Sequence, residues 1–90
     1  MLKIKNTGRF DKEYRLLVQD NPELAGLVTK QVELFVKNPK DTRIRNHKLT
    51  KSMLGKWAFG VTGDIRIVYE WQGKNVVRFL AIGGHSEVYN

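Results

Sequence analysis

Hydrophobic residues along the chain change their spacing twice, and each change predicts a different kind of element. Leu2 and Ile4 alternate with lysines, which predicts a short first strand with one solvated side. From Phe10 onward, apolar residues recur at every third or fourth position, as is typical of helices with one buried face. After Trp57 the apolar residues alternate again, which predicts further strands.

The helical part divides at Asn21-Pro22-Glu23. Asn can cap free amide groups, Pro is pre-set for the first helical position, and Glu favours the positive end of the helix dipole. The sequence therefore predicts a second helix that starts here and ends at Asn38-Pro39. The first helix stops near residue 20, so the connection is very short and predicts an antiparallel helical hairpin.

Three strands are predicted at residues 57–61, 65–71 and 75–82. A three-residue turn around Gly73 sets the register of the last pair. In this register Ile65, Ile67 and Tyr69 lie opposite Ala81, Phe79 and Val77. Arg66 then faces the other side of the sheet.

The order of one strand, two helices and three strands contains no βαβ repeat and predicts an α+β fold. We expect a helical hairpin packed on one face of a mainly antiparallel four-stranded sheet, in the order β-α-α-β-β-β. Ninety residues allow one modest core, so we expect residues 1–90 to form a single domain. The other face of the sheet has no helix, and the connector, residues 39–56, borders it. Ile44 and Leu49 are expected to anchor this connector in the core.

Positive charge is concentrated in one part of the chain. Sixteen Lys and Arg oppose nine Asp and Glu, for a net charge of +7. Seven of the basic residues lie between residues 37 and 56, where Asp41 is the only acidic residue. Such clusters indicate a polyanionic partner, because Lys and Arg that neutralise phosphates release condensed counterions. A solvated basic surface without a partner is the alternative.

The chain lacks cysteine, a signal-peptide pattern and any apolar stretch near the roughly 20 residues of a membrane span. We therefore expect a cytoplasmic protein that has no disulfide bond and does not contact a membrane.

Five polar residues are candidates for chemistry: His47, Asp64, Arg66, His85 and Tyr89. RNA cleavage without a metal needs a base for the ribose 2′-OH, an acid for the departing 5′ oxygen, and cations beside the phosphate. A histidine can be either base or acid, a carboxylate can act as base or orient a histidine, and an arginine can hold the phosphate. A tyrosine can stack on a base or donate a proton. The further RNA contacts are predicted from Arg43, Arg45, Lys48, Lys51 and Lys56.

Other kinds of site are less well supported by the sequence. His47 and His85 are the only histidines, and neither has a cysteine or a second histidine at metal-binding spacing, although the two with Asp64 remain an alternative metal site. No glycine-rich phosphate loop is present, and we expect neither a metal nor a cofactor. Each candidate also has a structural alternative: the histidines can bond to backbone, Asp64 can serve the turn, and Arg66 can pair with a glutamate.

Three runs carry a family resemblance: Leu54-Gly55-Lys56-Trp57, Gly63 to Tyr69, and Ile82 to Tyr89. Together with His47-Lys48-Leu49, they resemble the RelE/ParE toxin superfamily, most closely its YafQ-like branch, over essentially the whole chain. The specific part is the combination of the motifs D-x-R-x-x-Y and G-x-H-x-x-x-Y.

The resemblance implies a RelE-like fold and a toxin of a type II toxin-antitoxin system that cuts mRNA in the decoding site of the ribosome. Carried over by position, His47, Asp64 and His85 match catalytic residues, Arg66 matches a phosphate-holding arginine, and Tyr89 matches a C-terminal aromatic residue. The implied partners are mRNA on the 70S ribosome and a small acidic antitoxin that wraps the toxin. The toxin alone is expected to be a monomer, and with its antitoxin a hetero-oligomer.

Gly60 departs from this branch, which has a histidine four residues before the aspartate. The departure implies that His85 and His47 do more of the acid-base work. Two alternative functions remain: a ParE-like toxin that inhibits DNA gyrase without nuclease activity, and a decayed toxin that only binds its antitoxin.

Overall fold

The computed structural model describes residues 2–49 and 55–84. The elements are β1 (Lys3–Asn6), α1 (Gly8–Asp20), α2 (Leu24–Lys37), a 3-10 turn (Thr42–Ile44), β2 (His47–Lys48), β3 (Trp57–Gly60), β4 (Ile65–Trp71) and β5 (Val76–Gly84). The strands lie side by side in the order β1-β5-β4-β3-β2, with β1 parallel to β5 and the other pairs antiparallel.

The predicted α+β class, with two helices packed on a mainly antiparallel sheet, is confirmed. The prediction of four strands is wrong, because the connector adds a fifth strand, the two-residue β2, to the edge of β3. Two residues give too short a pattern for alternation to be recognised in the sequence.

Local hydrogen bonds explain where the helices begin. The Thr7 hydroxyl accepts from the backbone N–H of Phe10 at 3.1 Å and caps α1. The Asn21 side chain accepts from the backbone N–H of Glu23 at 3.3 Å, but helical residues begin only at Leu24. The segment predicted as the start of α2 is therefore the turn that leads into it. In the described ranges, no helix has the length and apolar character needed to cross a membrane.

The main core lies between the helices and one face of the sheet. Phe35 of α2 is 0% exposed, and its ring centroid lies 4.6 Å from that of Phe59 and 4.8 Å from that of Tyr69. Ile44 of the connector is also buried in this core, whereas Leu49 packs in a smaller cluster on the other face. Both predicted anchors are confirmed, and they pin the connector from two sides of the sheet.

The predicted register of β4 and β5 is wrong. Tyr69 lies opposite Phe79 and not opposite Val77. The turn between the strands lies one residue further along the chain than predicted, since the backbone N–H of Gln72 donates to the carbonyl of Val76 at 2.9 Å and residues 73–75 form the loop.

A β-bulge adds a second difference. Tyr69 pairs with Phe79 while Val68 pairs with Ala81, so Leu80 is an extra residue on β5. Ala81 therefore lies on the same face as Val68 and not on the face that carries the helices. The alternation along β4 itself follows the prediction and places Arg66 on the face away from the helices.

Candidate active site

The face of the sheet away from the helices has small residues where the strands meet. We call it the helix-free face. Cross-strand partners point to the same side, so this face carries one row with His47, Ala58, Val68 and Ala81, and a second with Gly60, Arg66 and Gly83. Leu49 of the connector packs on the first row. His47 and Arg66 have longer side chains than the small residues around them, and they belong to neighbouring rows.

His47 is exposed on the edge strand β2, and its ring has one defined partner. Its Nδ1 lies 3.0 Å from the carbonyl oxygen of Arg45. A carbonyl only accepts hydrogen bonds, so Nδ1 carries the proton and Nε2 of the neutral ring keeps a lone pair. This tautomer lets His47 accept a proton at Nε2.

The residue before His47 is tied to the core. The Tyr69 hydroxyl donates to Oδ1 of Asn46 at 2.9 Å, and Nδ2 of Asn46 donates to the carbonyl of Pro39 at 3.1 Å. Tyr69 is 0% exposed, and burial raises the pKa of its hydroxyl to about 12. The hydroxyl therefore stays protonated as a donor, and the buried tyrosine fixes the segment that positions His47.

Gln31 of α2 ties the connector to β3. Its Nε2 donates to the carbonyl of Gly60 at 3.0 Å and to that of Arg43 at 3.4 Å. Sequence reasoning missed both Gln31 and Asn46. The available signal was weak: a polar residue on a helix otherwise patterned for the core, and an asparagine beside a candidate histidine.

We expect Tyr69→Phe to lower the free energy of unfolding by about 1 kcal/mol at neutral pH, because Asn46 loses its donor. The stability contributed by protonated Tyr69 is full below pH 10, where an unfolded tyrosine begins to ionise, and is lost as the pH rises towards 12. The variant should therefore lose less stability than wild type between these pH values. Denaturant unfolding across this range measures both effects.

Tyr14→Phe is the control at neutral pH and should lose less stability, since its hydroxyl has no hydrogen bond within the described ranges. An equal loss in both variants would contradict the role of the Asn46 bond.

Two arginine side chains meet above Gly60. A Cβ atom built on Gly60 would lie 3.2 Å from Nη2 of Arg45 and 3.5 Å from Nη1 of Arg66. Arg45 adopts a left-handed backbone conformation, with φ 51° and ψ 47°, directly after the 3-10 turn. The space that a side chain would fill at residue 60 is thus occupied by two guanidinium groups.

The turn between β3 and β4 carries Asp64. The Thr62 hydroxyl accepts from the backbone N–H of Asp64 at 3.2 Å and from that of Ile65 at 2.9 Å. These bonds define the turn, as expected for a threonine at this position. Asp64 is exposed in the turn, directly before the first residue of β4, the strand that carries Arg66.

Two of the residues predicted to contact RNA have partners of their own. Arg43 donates to Asp41 at 2.7 Å, and this hydrogen bond lowers the pKa of the Asp41 carboxyl to about 2. Nζ of Lys48 lies 5.6 Å from the centre of the Trp57 ring, on the side of the sheet away from His47.

The structure thus places three of the predicted residues on the helix-free face: His47, Arg45 and Arg66. His47 and Arg66 are separated by one strand, and His47 is level with Val68, two residues further along β4, so the two backbones lie about 12 Å apart. Lys56 is partly buried at the start of the segment that leads into β3. The predicted residues Lys51, His85 and Tyr89 lie outside the described residues. In residues 2–49 and 55–84, no three His, Asp or Glu side chains form a cluster that could hold a metal ion.

A groove of about 470 Å³ lies elsewhere, between the two helices and the β1 side of the sheet. Its floor includes Ile4, Phe10 and Phe79, and two carboxylates, Asp11 and Glu33, border it. Carboxylates repel phosphate groups, so the electrostatics of this groove do not suit a nucleic acid. The helix-free face, with its arginines and His47, is the better candidate for chemistry on a phosphate.

The fold and this face define a small basic α+β protein with groups suited to proton transfer beside an anion. Residues 2–90 match the model of the family described as bacterial toxin of type II toxin-antitoxin system, YafQ. The chain belongs to this family.

Solved structures of toxins have the same fold. YafQ from Escherichia coli BL21(DE3) superposes with a TM-score of 0.81 at 21% identity, covering 100% of both chains. YafQ in the E. coli DinJ-YafQ complex gives 0.79 at 21% identity, also over 100% of both chains. A metal-bound toxin from Helicobacter pylori gives 0.81 at 26% identity, over 98% of this chain and 99% of that one. These matches confirm the predicted RelE-like fold. No curated protein sequence matches the chain.

Proposed function

We propose that the protein is an endoribonuclease that cuts mRNA on the ribosome, without a metal, and thereby inhibits translation. The observation that carries the proposal is the placement of His47, with a proton-accepting Nε2, on the same sheet face as Arg66. Membership of the YafQ toxin family supports the toxic role. The cluster of basic residues in the connector supports a polyanionic substrate.

In the proposed reaction, one group removes the proton of a ribose 2′-OH and the resulting oxygen attacks the adjacent phosphorus. A second group protonates the departing 5′ oxygen, which leaves a 2′,3′-cyclic phosphate and a free 5′-OH. His47 and His85 share the roles of base and acid. Arg66 compensates the negative charge that builds on the phosphate oxygens. Asp64 orients a histidine or assists as a base, and Tyr89 stacks on a base or donates a proton.

The proposed partners are mRNA on the 70S ribosome and a small acidic antitoxin. Toxin and antitoxin form a complex in the E. coli DinJ-YafQ structure. A net charge of +7 favours an acidic partner for this chain, because such a partner would neutralise the basic connector. We propose that the chain acts as a single domain, monomeric alone and hetero-oligomeric with its antitoxin, in the cytoplasm where ribosomes translate.

The test is a translation extract supplied with wild-type protein or the His85→Ala variant. Wild type should cut mRNA on ribosomes and leave the same mRNA largely intact without them. Loss of a positioned acid or base should slow cutting by about 100-fold to 10,000-fold in the variant. A chelator selective for zinc, added with excess Mg²⁺ to preserve the ribosomes, should have no effect.

Equal cutting by both proteins, or cutting abolished by the chelator, would overturn the proposal. DNA damage in expressing cells without mRNA cleavage would favour the gyrase-inhibiting alternative. Normal growth of cells that express soluble wild-type protein alone would contradict both activities and favour a decayed toxin.

A further inference from the structure

Two arginines of the helix-free face differ from Arg9, Arg43 and Arg78 in what their guanidinium groups bind. Salt bridges join Arg9 to Glu13, Arg43 to Asp41 and Arg78 to Glu70. Within residues 2–49 and 55–84, neither Arg45 nor Arg66 forms a salt bridge with a carboxylate. Each donates instead to a backbone carbonyl, Arg45 to Thr62 at 3.2 Å and Arg66 to Gly63 at 3.5 Å. Their positive charges are therefore not neutralised by a described carboxylate.

Both guanidinium groups are held by one structural element. Their acceptors are consecutive carbonyls of the turn between β3 and β4, and the Thr62 hydroxyl fixes that turn through two backbone N–H groups. One nitrogen of each guanidinium lies within 3.5 Å of the position that a Cβ atom would take on Gly60. Two like charges this close repel each other. An anion between them would remove that repulsion.

We propose that Arg45 and Arg66 together clamp a single phosphate group of the RNA backbone, and that Gly60 is the residue that makes room for the pair. This inference rests on the proposed function, since it takes RNA as the ligand. A guanidinium has five N–H donors in a plane, so each arginine retains donors after its bond to the turn. The non-bridging oxygens of a phosphate accept such donors in pairs, which a lysine cannot match.

The role of Gly60 follows from the space around it. Its strand position is buried, and an alanine Cβ would lie 3.2 Å from the tip of Arg45 but 3.6 Å from the nearest backbone atom, the carbonyl oxygen of Ile44. The second distance is an ordinary contact, whereas the first requires the arginine to move by a few tenths of an ångström. Because a flexible side chain moves easily, Gly60→Ala should displace one arm of the clamp and leave the fold unchanged.

The experiment measures binding of a short single-stranded RNA that is fully 2′-O-methylated, so that it cannot be cleaved. Fluorescence anisotropy over a range of KCl concentrations compares wild type with Arg45→Gln, Arg66→Gln and the double variant. Each single change should weaken binding about tenfold or more, as expected for a charge-assisted hydrogen bond. Arg15→Gln, which removes the same charge from the exposed surface of α1, is the control and should bind nearly as wild type does.

The double variant shows whether the arginines share a phosphate. If they do, its loss should be much smaller than the product of the single losses. The slope of the logarithm of the binding constant against the logarithm of the salt concentration should fall in magnitude by about 0.7, the value for one phosphate of a single strand. Two separate phosphates would change it by twice that amount. Gly60→Ala should weaken binding several-fold at an unchanged melting temperature. Gly73→Ala, where a Cβ meets no atom within 4 Å, should bind as wild type does.

The clamp would be overturned if the loss of affinity in the double variant equalled the product of the two single losses and its salt slope fell by about 1.4. It would also be overturned if Arg45→Gln bound RNA as tightly as Arg15→Gln does, or if wild type showed no salt-dependent binding. Cleavage by wild type in the translation extract is scored separately. If wild type cleaves mRNA but Arg45→Gln binds RNA as wild type does, only the clamp is overturned and the proposed function stands. If wild type does not cleave mRNA but the binding losses follow the expected pattern, only the enzymatic function is overturned.

Discussion

Replacing His47 with alanine should slow mRNA cleavage by about 100-fold to 10,000-fold and leave the fold intact. The ring donates from Nδ1 to the carbonyl of Arg45 and presents Nε2 for proton transfer, so its loss removes a positioned acid or base. His47 is exposed on the two-residue β2, and the free energy of unfolding should change by no more than about 0.5 kcal/mol. Cleavage rates in a translation extract and a denaturant melt measure the two effects.

Added imidazole separates a chemical role of His47 from a structural one. If the ring transfers a proton, imidazole should restore part of the activity of His47→Ala in proportion to its concentration. Gln19→Ala, an exposed change on α1, should cut at the wild-type rate with or without imidazole. Wild-type cutting by His47→Ala would place the acid-base groups elsewhere in the chain.

The largest effect on stability is expected from Phe35→Ala, at about 3 to 5 kcal/mol. Phe35 is 0% exposed and its ring contacts those of Phe59, Tyr69 and Phe79, so truncation leaves a cavity where the helices meet the sheet. A small domain has a total stability of about 5 to 15 kcal/mol. The melting temperature should therefore fall by at least about 12 °C. Denaturant and thermal unfolding followed by circular dichroism measure this loss.

Leu16→Ala is the matched control for the core change. Leu16 is 53% exposed on α1, so its truncation should cost less than about 0.5 kcal/mol. Similar losses in the two variants would show that the core does not lie between α2 and the sheet. A stable Phe35→Ala protein would lead to the same conclusion.

The helices and the face of each β4 residue were predictable because they depend on local periodicity. A helix repeats every 3.6 residues and a strand every two, so Tyr69 and Arg66 of β4 were assigned to opposite faces of the sheet from spacing alone. Proline and asparagine marked the end of α2 for the same local reason. The prediction failed for the register of β4 and β5, which depends on how the strands pair. The bulge at Leu80 and the one-residue shift of the turn change which residues are opposite each other without altering the local pattern.

The candidate site shows the same division. The types of residue suggested acid-base chemistry on a phosphate, and Arg66 was predicted on the face away from the helices. The approach of Arg45 to Arg66 above Gly60 was not predictable, because it depends on a left-handed backbone at Arg45 and on a cross-strand neighbour without a side chain. The link from Tyr69 to Asn46 likewise joins residues far apart in the chain.

The amino-acid sequence alone was enough to establish the α+β class, the two helices, the basic connector and the resemblance to YafQ-like toxins. Each of these depends on composition, on short repeats of hydrophobic residues, or on motifs that are contiguous in the chain. The tertiary structure was needed to show that β2 extends the sheet, that His47 has Nε2 available, and that two arginines meet above Gly60. The pairing of β2 and the meeting of the arginines arise from contacts between separate segments, and the His47 tautomer follows from the backbone geometry of the connector, which no hydrophobic pattern specifies.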